Sequence, residues 1–80
     1  MDLYYSSDES RLSIAHALDD LCETHHLDGY SLKPVGHQWW FRIEDVPVDA
    51  GAIRQRLEQG ELAARAIAAA DFWAAKSGRS

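Results

Sequence analysis

Cysteine is nearly absent: the 80-residue chain has one, Cys22, so no internal disulfide can staple the fold. No apolar run approaches the roughly 18 residues of a membrane span. Met1-Asp2-Leu3-Tyr4 is neither basic nor apolar enough for a secretory leader, and the expected address is the cytoplasm. Only two prolines occur, and no Pro/Gly/Ser-rich linker or internal repeat divides the chain. One small domain over residues 1–80 is predicted, with a frayed polar tail at 76–80.

Basic residues are in the minority. Eight Lys and Arg face thirteen Asp and Glu, for a formal charge of −5. The excess is local: residues 1–28 carry −6, with Arg11 as their only base, whereas residues 29–80 carry +1. A chain of this sign repels a phosphate backbone, which argues against direct nucleic-acid binding and for a larger protein with a basic surface as partner.

Enzyme signatures are missing too. There is no phosphate loop, Gly-x-Ser-x-Gly, His-Glu-x-x-His or dinucleotide fingerprint. Cys22 with His25 or His26 has the spacing of two metal ligands on one helical face, and His37 could approach from a turn. Zinc needs three or four ligands, and there is no Cys-x2-Cys pair. Cys22 also falls in a core-facing sector, where a thiol is usually inert. The acid pairs Asp19-Asp20 and Glu44-Asp45 are neighbours in sequence, which does not converge them on a substrate. No catalysis, metal or cofactor is expected.

What is present is hydrophobic periodicity. Ser6 and Glu9 have capping-box spacing, predicting a helix from about Ser7 to His26, with Gly29 as its stop. Ile14, Leu18, Leu21, Cys22 and His25 fall in a core-facing sector roughly 100° wide. Leu3-Tyr4-Tyr5 is either a short edge strand or an aromatic clip on the core. Tyr30–Lys33 and His37–Glu44 alternate about a turn at Pro34-Val35-Gly36, predicting a β-hairpin whose inner face carries Trp39, Phe41 and Ile43. That face should meet Ile14, Leu18 and Leu21, and Ile53, Leu57 or Ile67. Asp49 can cap a second helix from Ala50, and the alanine-rich segment to Ala75 predicts more helix, bent or broken at Gly60. The fold class is α+β.

Two surfaces stand out. Asp8, Glu9, Asp19, Asp20 and Glu23 form an acidic stripe opposite the core sector of the first helix, with Leu12 and His16 inside it. The stripe could occupy a lysine- and arginine-rich groove, with Leu12 as anchor. Trp40, on the hairpin's outer face with Gln38, Arg42 and Glu44, is a further candidate anchor. The plain alternatives are a solvated charged face and a tryptophan covered by the C-terminal segment.

The leading expectation is thus a small acidic protein-binding inhibitor or adaptor. In size and acidity the chain is similar to small inhibitors encoded by phages and mobile elements, including anti-CRISPR proteins that cover nucleic-acid sites. That resemblance implies blocking of a partner's basic surface. The alternative is a homodimer or small subunit assembled through Leu62, Ala66, Ala69 and Trp73 on the alanine-rich helix.

Overall fold

Alternating residues at the N-terminus and in the hairpin build the sheet. The computed structural model describes residues 1–75; the tail expected to fray lies outside the described residues. Strands β1 (Leu3–Ser7), β2 (Gly29–Val35), β3 (Gln38–Glu44) and β4 (Arg65–Ala66) form one antiparallel sheet in the order β2-β3-β1-β4. Helices α1 (Arg11–His25) and α2 (Gly51–Gln59) follow β1 and β3, and a short α3 (Ala69–Ala74) follows β4. This is the split β-α-β arrangement, in which each helical crossover skips the strand lying between the two it joins. The α+β class and the hairpin stand as expected.

Side-chain alternation divides the sheet into two faces. Leu3 and Tyr5 lie opposite Ile43 and Phe41 on the inner face. They are buried with Ile14, Ala17, Leu18 and Leu21 of α1 and Ile53 and Leu57 of α2. Trp39 packs at the margin of this core. On the outer face, Phe72 of α3 is buried against Tyr4, their ring centroids 5.3 Å apart.

Several boundaries differ from expectation, each for a local reason. The N-terminal segment is an interior strand, so Ser6 and Ser7 lie in a ladder and cannot begin a helix. Ser7 Oγ donates to the Leu62 carbonyl at 2.9 Å. The cap is Ser10, whose hydroxyl accepts from the Ser13 amide at 3.2 Å, and Asp8 and Glu9 fall in the preceding loop. At the other end His26, not Gly29, takes the left-handed conformation, with φ 56°. Gly29 is already paired with Glu44, so the reversal must be finished before it. Cys22 and His25 are half-buried at the flank of the core rather than inside it.

The hairpin turn is Gly36-His37, with Gly36 at φ 61°, a conformation that suits glycine. Pro34 and Val35 are strand residues; proline is tolerated there because β2 is an edge strand.

The alanine-rich segment is broken at Gly60, one of the two alternatives expected. Beyond it, however, residues 61–68 are not helical. Leu62 and Ala64 are buried in the core, the Ala64 amide donates to the Leu57 carbonyl at 2.8 Å, and Arg65-Ala66 pairs with β1. Tertiary contacts thus override alanine's helix propensity. Ile67 is half-buried outside the core. The dimer surface of Leu62, Ala66, Ala69 and Trp73 is therefore not one helix face: Leu62 is interior, Ala66 lies in β4, and Ala69 and Trp73 in α3.

A Cβ built on Gly60 would come 2.3 Å from the Arg56 carbonyl oxygen, a contact that backbone must move to relieve. Gly60→Ala should destabilise the domain by about 2 kcal/mol and lower Tm by roughly 10 °C. An unchanged thermal melt would contradict this account of the break.

Candidate functional site: the outward face of α1

The Ser10 cap and four buried residues fix the phase of α1. With Ile14, Ala17, Leu18 and Leu21 turned inward, Leu12, His16, Asp19, Asp20 and Glu23 lie within about 100° of one another on the opposite side. All five are exposed, Leu12 to 66%. The stripe runs about 16 Å along the helix at 1.5 Å per residue.

Asp8 and Glu9, expected on the same helical stripe, are exposed in the loop before the cap. They leave the helix face because β1 occupies the chain through Ser7 and Ser10 sets the first turn. Three carboxylates, one leucine and one histidine remain on the helix.

Two of those carboxylates are held from within the molecule. The Tyr30 hydroxyl donates to Asp19 Oδ1 at 2.7 Å, and Arg56 of α2 reaches Asp20 Oδ2 at 2.6 Å. The Asp20–Arg56 pair is solvent-exposed, with side chains 61% and 39% accessible, so its worth is at most about 1 kcal/mol. It nevertheless offsets part of the stripe's charge and fixes one carboxylate's position. Glu23 makes no ion pair among the described residues.

Trp40 does not belong to this surface. The alternation that buries Phe41 and Ile43 places it on the outer sheet face, across the molecule from α1. It is half-buried there, and its indole N–H donates to Gln38 Oε1 at 3.3 Å. The exposed tryptophan is Trp73, at 61%. Its ring lies under the Arg42 guanidinium at 5.3 Å and its N–H donates to the Tyr4 hydroxyl at 3.2 Å. No sequence signal separates Trp73 from a buried residue, because its exposure follows from the break that shortens α3.

A second acidic group forms where β1 begins and β3 ends. Asp2 accepts from Arg42 Nε at 2.8 Å and from the Asp45 amide at 3.1 Å. These hold its carboxyl below the ordinary value, the backbone bond from Asp45 most strongly. Asp28 is pushed up, first by hydrogen bonding with Asp45 and then by that residue's charge. Burial, followed by the charge of Asp19, likewise raises the Cys22 thiol. Among the described residues no group of three or more His, Cys, Asp or Glu is placed to hold a metal, no pocket is formed, and no helix is long and apolar enough to cross a membrane. No protein family, curated protein or solved structure matches the chain.

The Tyr30–Asp19 contact has a pH signature. Burial first, then the bond to Asp19 and its negative charge, pushes the Tyr30 hydroxyl up from 10.0 to about 12. Its contribution is complete below pH 10 and is lost as pH rises toward the folded value, because the unfolded phenol ionises first. Ultraviolet titration should show a tyrosine ionising near pH 12 that vanishes in Tyr30→Phe, and this variant should lose less stability between pH 10 and 12. Ionisation of Tyr30 at its ordinary value would remove the contact from the account.

Proposed function

We propose that the chain is a non-enzymatic protein-binding module, an inhibitor or adaptor, that lays the outward face of α1 on a basic surface of a larger cytoplasmic protein. The observation carrying this reading is Leu12, exposed to 66% on the same face as Asp19, Asp20 and Glu23. Burying an exposed leucine stabilises a contact by about 1.5–3 kcal/mol, while surrounding carboxylates steer the encounter and reject acidic partners. Asp8 and Glu9 extend the negative field beyond the helix's N-terminal end. Tyr30 and Arg56 hold Asp19 and Asp20 in place, which lowers the entropy lost on docking. Where the partner's basic surface itself holds nucleic acid, occupation by α1 blocks that ligand by charge and by bulk.

Capture from a lysate of the cells that encode the chain tests the reading, using immobilised wild type, Leu12→Ala and Glu23→Lys. Wild type should retain a basic protein whose binding weakens as salt shortens the range of the field. Each substitution should reduce its retention about tenfold while leaving thermal stability within about 0.5 kcal/mol, as for an ordinary surface change. Equal retention by all three proteins, or retention indifferent to salt, would defeat the proposal.

A further inference from the structure

The C-terminal helix α3 holds to the outer face of the sheet by few contacts, and they are of an unusual kind. Phe72 is its one buried residue. Its ring packs on Tyr4 of β1, and Lys33 Nζ of β2 lies 4.6 Å from its centroid. Tyr4 pairs with Arg42, and Lys33 with Trp40, so the ring bridges β1 to β2 across β3. The same ammonium donates to the carbonyls of Phe72 and Ala75, the latter at 2.7 Å. Lysine thus supplies a cation to the negative end of the helix and donors to carbonyls that the helix leaves free. Trp73 lies outside this contact, clipped by Tyr4 and Arg42.

Six residues are too few to sustain a helix in water without docking. Its N-terminal end has no side-chain cap, Ala68 preceding the helix, and its C-terminal end is held only from outside the helix, by Lys33. The inner core loses none of its named members when α3 departs, because Phe72 lies on the other side of the sheet and outside that cluster. Three conditions therefore coincide: an element dependent on docking, a docking site separate from the core, and one cation gathering its C-terminal end.

We infer that α3 is a detachable strap, closed over the outer sheet face by Lys33 and Phe72, which opens while the rest of the domain stays folded. Opening bares Tyr4, releases the ammonium of Lys33 and frees Arg42 from Trp73. The strap lies across the sheet from the acidic face of α1, so it neither requires the proposed docking role nor falls with it.

Native-state hydrogen exchange on the full chain tests the inference. In wild type, the Phe72 and Ala75 amides, which bond to the Ala68 and Asp71 carbonyls, should be protected yet exchange at least about 100-fold faster than the slowest amides of the β1–β3 ladder. Lys33→Met, which keeps much of the side chain's length, should speed exchange of α3 on the order of tenfold and leave the ladder unchanged. Phe72→Ala should do the same, with a shift in Trp73 fluorescence. Exchange of α3 at the ladder's own rate, absence of any protection in α3, or equal acceleration of both elements by Lys33→Met would overturn it.

Discussion

Five antiparallel pairs, from Leu3 opposite Ile43 to Ser7 opposite Trp39, place the N-terminal segment in the interior of the sheet, and two further pairs join its other edge to β4. Both faces are organised around it. Inward, Tyr5 is wholly buried, stacked on Phe41 at 6.1 Å between centroids, with its hydroxyl donating to Glu58 Oε2 of α2 at 2.6 Å. Outward, Asp2 secures Arg42 and Tyr4 receives Phe72 and Trp73. Without β1 the hairpin would be a two-stranded ribbon, which is seldom stable alone in water. The first turn of α1, the route of residues 61–68 and the seat of α3 all follow from this pairing.

Much of the framework was legible in local patterns. The alternation of Trp39, Phe41 and Ile43 marked the hairpin's inner face, and Ile14, Leu18 and Leu21 marked the inward side of α1. Where local cues competed, long-range pairing decided. Ser6 with Glu9 has the spacing of a helix start, but the ladder takes Ser6 and Ser7, and the less conspicuous Ser10 becomes the cap. Alanine favours helix in every local measure, yet Leu62 and Ala64 are buried by a turn past α2 in which Ala63 is left-handed, at φ 44°. No local pattern reports a strand of two residues whose partner lies some sixty positions away.

The candidate binding surface survives this revision in a smaller form. Its phase was readable because carboxylates lay opposite the apolar sector of α1, whereas its restraints were not. Tyr30 and Arg56 reach Asp19 and Asp20 from separate elements, so the stripe's charge is partly met within the molecule. The parts most open to a partner are Leu12 and Glu23, at opposite ends of the stripe. The sheet's opposite face has a different character: Arg42 is engaged with Asp2, Glu44 and Trp73, and Lys33 with α3.

The interior position of β1 is the premise beneath both readings, and backbone chemical shifts with cross-strand nuclear Overhauser effects in solution test it most directly. The account predicts extended-chain shifts over Leu3–Ser7, helical shifts starting only at Arg11, and contacts linking Tyr4 to Arg42 and Ser6 to Trp40. Helical shifts beginning at Ser7, with no contact between this segment and the hairpin, would contradict it.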